Sequence, residues 1–250
     1  MAGHSKWANI KHKKAAQDAK RGKIFTKIIK EIMVAAREGG GDPDMNPRLR
    51  LVIQKAKEAN MPNDNIERAI KKGTGELEGV NYTEMTYEGY GPAGVAIMLD
   101  ILTDNKNRTA AEIRNIFSKN GGNLGETGCV NWIFERKGMI MVDGSKYSED
   151  ELMDHVLEAG ADDLKRDNDM FVIYTSPEDF TQVVENLKQN VEYENAEVTM
   201  EPSNTVKVTG DEVEKLMKLV DALEDSDDVQ NVYSNFDIDD EELKRLEEVS

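Results

Sequence analysis

One cysteine, Cys129, and three histidines, His4, His12 and His155, are all that this 250-residue chain offers to disulfide or thiolate and imidazole chemistry. A single thiol excludes an intrachain disulfide and any multi-cysteine zinc site. The histidines are too few and too scattered for a metal cluster, so neither a metal nor a cofactor is expected. No apolar run reaches the ~18 residues that a membrane span needs. The basic N-terminus has no apolar core of the kind that marks a secretory signal. A reducing cytoplasm is therefore the expected compartment, without membrane attachment. Walker, GxSxG and HExxH motifs are all missing. The string Gly89-Tyr90-Gly91-Pro92-Ala93-Gly94 matches GxGxxG by letter, but a strand-like run follows it where a dinucleotide site needs a helix. It reads as a glycine-rich turn between strands. Carboxylate pairs are inevitable among 49 acids, and His155 sits mid-helix beside apolar neighbours. No enzyme is expected.

What the chain does have is charge, unevenly distributed. Its net charge is -17, yet residues 1–75 hold 17 Lys and Arg against 8 Asp and Glu, a net of +9. Residues 76–250 hold 15 against 41, a net of -26. The first thirty residues are the extreme: nine cations and one acid, Asp18. One end should attract a polyanion that the remainder repels.

Periodicity divides the chain further. Residues 1–15 lack apolar spacing and read as a basic arm. From about Ala16 an apolar stripe (Ile24, Phe25, Ile28, Ile29, Ile32, Met33) predicts a helix ending at Gly39-Gly40-Gly41. Asn46-Pro47 opens a second helix to about Ala59. A third starts near Pro62, with Asp64 and Glu67 at capping-box spacing, and closes on Lys71-Lys72-Gly73. These make a helical bundle over 16–76. Thr83–Tyr87, Val95–Leu102 and Val130–Phe134 read as strands, with a helix over Asn107–Lys119. Residues 136–202 then run strand, helix, strand, strand, helix, strand, the ferredoxin-like order. A last strand Thr205–Val208, helix Glu212–Glu224 and strand Val229–Ser234 have no sheet of their own. They are expected to complete a middle α/β domain of residues 77–135 plus 203–239, with the ferredoxin-like domain inserted into it. Residues 240–250 read as an acidic tail. The fold class is α+β in three domains, and nothing demands more than a monomer.

The arm combines cations for phosphates with an aromatic that can stack on a base: His4, Lys6, Trp7, Lys11, His12, Lys13 and Lys14. At 100° per residue, Lys20, Lys23, Lys27 and Lys30 continue it along one side of the first helix, with Arg21 beside them. A solvated charge run is the ordinary reading of such a terminus. The in-phase continuation, set against an acidic remainder, favours nucleic-acid binding. Arg48, Arg68, Lys71, Lys72, Tyr90, Asn105, Asn107 and Arg108 are further candidate contacts, the last three opening a helix whose N-terminal amides could hold an anion. The loop at 121–128 is glycine-rich without a clear role.

The same stretches carry a resemblance. MAGHSKWANIKHKK at the start, NPRLR at 46–50, ANMPNDNIERAIKKGTG at 59–75, YEGYGPAG at 87–94, TDNKNRTA at 103–110 and GGNLGETGCVNWIF at 121–134 resemble the YebC family. Ala93 stands where a glycine is common in that family, and Cys129 where a small hydroxyl residue is. The resemblance implies three domains around a cleft, one inserted in another. It implies a regulator of gene expression, since family members are labelled probable transcriptional regulators with DNA-binding ability. It also looks like a mitochondrial translational activator, and bacterial members are linked to relief of ribosomes stalled on proline-rich chains. An irregular arm suits ribosomal RNA, with the loops at 87–94 and 103–109 then reaching toward the functional centre of the ribosome. Double-stranded DNA is the alternative partner, with the 64–72 helix at its groove.

Overall fold

A computed structural model describes residues 18–167 and 169–239, with side chains from residue 22 onward. Helix α1 (Asp18–Gly39) buries Ile28, Ile32, Met33, Ala35 and Ala36 against α2 (Pro47–Glu58) and α3 (Asn63–Thr74). Asn46 ties the first turn of this bundle together. Its Oδ1 accepts from Leu49 N at 3.1 Å, capping α2, while its Nδ2 donates to the Ala35 and Gly40 carbonyls, each at 2.8 Å. The third helix starts near Pro62 as expected, but its cap and its end differ. Pro62 occupies its cap position and no side chain caps it, so Asp64 lies inside the first turn, where its charge still complements the positive end of the helix dipole. The helix also runs through Gly73 and stops at Gly75, whose φ of 84° is left-handed. Gly73 has a different use: a Cβ there would lie 2.5 Å from the Met33 carbonyl. It lets α1 and α3 approach closely.

The middle sheet has the order β3 (Asn123–Leu124), β1 (Thr83–Tyr90), β2 (Ala96–Thr103), β9 (Val229–Ser234). Strand β1 (Thr83–Tyr90) pairs antiparallel with β2 (Ala96–Thr103), matching Thr83 to Thr103 and Tyr90 to Ala96. On β2, Ile97, Leu99 and Ile101 face a core shared with α4 (Lys106–Lys119) and α7 (Asp211–Asp225). Ala96 and Met98 face the other way, onto Val130 and Ile133. Burial on both faces is why this run shows no alternation. Its one acid, Asp100, accepts from Tyr233 Oη at 2.8 Å and Asn231 Nδ2 at 3.1 Å. The edge strand β3 (Asn123–Leu124) is only two residues long.

The expected strand over Val130–Phe134 does not form. Asn131–Ile133 is a single 3-10 turn, and Phe134 already begins β4 (Phe134–Asp143). A strand would have sent Val130, Trp132 and Phe134 inward together. Instead Val130 and Ile133, three apart, are buried, while Trp132 is 68% exposed.

From β4 the chain makes α5 (Glu149–Ala159), β5 (Asp163–Asp167), β6 (Met170–Thr175), α6 (Phe180–Leu187) and β7 (Asn195–Pro202). Their sheet order, β5-β6-β4-β7 with every pair antiparallel, is the ferredoxin-like arrangement. The chain then returns. Strand β9 (Val229–Ser234) pairs antiparallel with β2, so the ferredoxin-like unit is inserted between two parts of one sheet. The short β8 (Val206–Lys207) does not join that sheet as expected; it pairs in parallel with β10 (Phe236–Asp237).

Candidate functional site

The two ends of the middle sheet are built differently. At the end carrying Thr103 the organiser is Asp228, which precedes β9 and is 5% exposed. Its Oδ2 accepts from Arg108 Nη2 and Thr109 Oγ1 at 2.8 Å and from Thr103 Oγ1 at 3.2 Å. Its Oδ1 accepts from Lys30 Nζ at 2.9 Å. Burial alone would raise the pKa of this carboxyl, but the bonds from Arg108, Lys30 and Thr109 prevail and hold it at about 2. Thr103 ends β2, while Arg108 and Thr109 lie in the first turn of α4, where the Asn105 side chain accepts from the Arg108 amide at 3.1 Å. The anion at this helix N-terminus is thus the chain's own.

Lys30 comes from the bundle, and it is one of three. Lys23 Nζ donates to Asp225 Oδ1 at 3.1 Å, Lys27 Nζ to the Glu224 carbonyl at 2.7 Å, and Lys30 Nζ also to the Asp227 carbonyl at 2.7 Å. The last turn of α7 contains no basic residue of its own. The cations that complement its negative end are supplied by α1, at i, i+4 and i+7 along one stripe. Burial pulls the Lys27 ammonium below its ordinary value, against Glu224 and Asp227, which pull it up. Lys30 also stands over the Tyr82 ring, 5.2 Å from its centroid.

The opposite end of the sheet gathers Tyr90, the Pro92–Gly94 turn and the loop at 121–128. Glu88, 3% exposed, accepts from the backbone amides of Gly128, Val130 and Asn131, each at 2.8 Å. Burial pushes its carboxyl up, and the three amides hold it below the ordinary range. The GxGxxG string is a turn here: at Gly89 a Cβ would lie 2.6 Å from the Asn123 carbonyl. Ala93 sits at φ 57°, a left-handed conformation that glycine adopts at less cost.

The candidate residues therefore separate into groups. His4, Lys6, Trp7, Lys11, His12, Lys13 and Lys14 lie outside the described residues, and the side chains of Lys20 and Arg21 are not described. Lys23, Lys27 and Lys30 meet α7. Arg48 pairs with Glu38 at 2.6 Å and with Glu84, and its own charge is held by Glu84 first. Arg108 bridges Asp104 and Asp228, and Asn105 caps α4. Asn107 is exposed, as are Arg68, Lys71 and Lys72, which form no ion pair among the described residues. Antiparallel β1 and β2 put the loops at 87–94 and 103–109 at opposite ends of the sheet. Sequence reasoning missed Asp228, Glu88 and Trp132. Only the last carried a signal, as an isolated indole in a glycine-rich stretch.

Two family models cover nearly all of this architecture. Residues 5–76 match the TACO1/YebC protein N-terminal domain, and residues 82–236 match the TACO1/YebC second and third domain. The chain belongs to the TACO1/YebC family. A relative from Natranaerobius thermophilus is 65% identical, with 96% of this chain and 98% of that one covered. One from Halothermothrix orenii is 61% identical over 99% and 100%. Both are named "probable transcriptional regulatory protein". Among solved structures, a conserved hypothetical protein from Aquifex aeolicus is 52% identical with a TM-score of 0.78, covering 89% of this chain and 93% of that one. At that identity the TACO1/YebC likeness extends through the three-part fold. Among the described residues no helix is long and apolar enough to cross a membrane, and no group of three metal-ligating side chains converges.

Proposed function

We propose that this chain is a non-enzymatic regulator of gene expression that binds nucleic acid through its first thirty residues, and that it acts at the ribosome on ribosomal RNA, relieving stalls on proline-rich nascent chains. The observation that carries this reading is the docking of α1. Lys23, Lys27 and Lys30 anchor the helix to the end of α7. The cations before them, Lys6, Lys11, Lys13, Lys14, Lys20 and Arg21, precede those anchors in sequence. The acidic body keeps the other domains off a phosphate backbone. The names of the curated relatives support the regulatory role.

Ribosome co-sedimentation at low salt tests it. The parent chain is expected in the ribosomal pellet, and the Lys11→Glu, Lys13→Glu, Lys14→Glu variant in the supernatant; equal pelleting of the two would sink the reading. A second reading, a regulator on double-stranded DNA, is favoured by the relatives' names and by the exposed Arg68, Lys71 and Lys72 on α3. Crosslinking in cells and sequencing of the attached nucleic acid separates the two, since promoter DNA and ribosomal RNA give different reads.

A further inference from the structure

At the sheet end remote from the bundle, two aromatic side chains stand in solvent with their polar edges already satisfied. Tyr90, the last residue of β1, is 38% exposed and Trp132 is 68% exposed. Tyr90 Oη donates to the Cys129 carbonyl at 3.0 Å, and Trp132 Nε1 donates to the same oxygen at 3.1 Å. One acceptor with two lone pairs thus pins both rings. The loop that presents this carbonyl is itself pinned by Glu88, two residues before Tyr90 on the same strand, through amides on both sides of Cys129. A buried carboxylate is costly to keep, and here all its described bonds go to holding this loop. The two stretches of chain that carry the rings are nearly neutral. Residues 89–99 hold no Asp, Glu, Lys or Arg, and between 120 and 134 Glu126 is the only charged residue. In the strongly acidic part of this chain, that is a gap in the repulsion a nucleic acid would meet.

We propose that Tyr90 and Trp132 form a stacking platform for unpaired bases of single-stranded RNA, a contact separate from the basic arm. This rests on the reading that the partner is RNA. An aromatic face takes any base, because every base has a π face and can satisfy its own edges with water. An extended peptide is a poorer fit. Its carbonyls need donors, and the two donors of this pair are already engaged. A folded protein partner is poorer still, since two rings fall far short of the ~1,200 Å² a stable interface buries. The position also suits a second contact: eight residues of β1 carry the platform about 25 Å from the end that meets α1.

The chain has two tryptophans, so full-length protein with Trp7→Phe reports Trp132 alone. Its emission is titrated with an unlabelled, unstructured RNA, while anisotropy of the same RNA carrying a dye measures total binding. Quenching is expected to follow the anisotropy curve. In the same background, Trp132→Ala is expected to weaken binding roughly 5- to 150-fold. Stacking neutralises no phosphate, so the factor should be the same at about 50 and 200 mM salt. Trp132 is exposed, and an unchanged urea midpoint shows that the variant folds. Binding by anisotropy without quenching, and without loss in Trp132→Ala, overturns the platform and leaves the RNA reading standing. No anisotropy change overturns both. Quenching by a proline-rich peptide but not by RNA overturns the platform as a base-binding site.

Discussion

Lys30 Nζ lies 2.9 Å from Asp228 Oδ1, and the two side chains are only 8% and 6% exposed. They join the helical bundle to the middle domain across 198 residues of sequence. Removing one partner of a buried pair leaves an uncompensated charge, which costs about 3–5 kcal/mol. Asp228 keeps Arg108 and two threonine hydroxyls, so Lys30→Met is expected at the low end, about 3 kcal/mol. Urea unfolding measures it. Combined with Asp228→Asn, the loss should be smaller than the sum of the singles, because both remove one interaction.

Acid should reveal the same carboxylate. In the unfolded chain Asp228 protonates at its ordinary 3.8; in the fold it is held at about 2. A lowered folded value means that the stabilisation is complete above about pH 4 and is lost as pH falls toward about 2, a difference of about 2 kcal/mol. Glu88, lowered as well, adds loss in the same direction. The stability–pH curve of Asp228→Asn should therefore be flatter than the parent's between those limits, without becoming level. A parallel pair of curves would show that Asp228 titrates normally.

How much of this was legible in the sequence depends on whether local pattern or distant chain decided it. Asn46 capping α2 was legible because Asn-Pro is a local signal, and β6 and β9 fell at Met170–Thr175 and Val229–Ser234 as expected. The insertion was legible from strands left without partners. The turn at Asn131–Ile133 was not, since Val130-Asn131-Trp132-Ile133-Phe134 satisfies a strand pattern as well as a spacing of three. The lysine stripe was found, but its in-phase spacing says only that Lys23, Lys27 and Lys30 share a side of α1. What that side meets is set by α7, about two hundred residues on, whose C-terminal carbonyls have no sequence signature. Asp228 was hidden for the same reason, as one acid in an acidic loop.

Gly73 gives a sharp contrast between local propensity and packing. In an exposed helix, Gly→Ala gains up to about 1 kcal/mol. Here the added Cβ would meet the Met33 carbonyl at 2.5 Å and the Ala36 Cβ at 2.8 Å. Pushing α1 from α3 is expected to cost about 1–3 kcal/mol, outweighing the propensity. The urea midpoint should fall; a rise would mean that the helices separate freely.

The lysine stripe and the arm should differ in how their loss affects binding. Each phosphate neutralised on a single strand contributes about 0.7 to the slope of log K against log salt. Changing Lys11, Lys13 and Lys14 to Ala is expected to flatten that slope by about 2. Lys23 and Lys27 are held by Asp225 and Glu224, so Lys23→Ala with Lys27→Ala should leave the slope close to the parent's. The Lys23 pair is half-exposed, at 47% and 73%, and its loss should cost under about 1 kcal/mol of stability. Anisotropy titrations of an unstructured RNA at several salt concentrations measure both slopes. If the two sets flatten the slope equally, the stripe leaves α7 when RNA binds, and the bundle is then not docked in the complex as it is in the free chain.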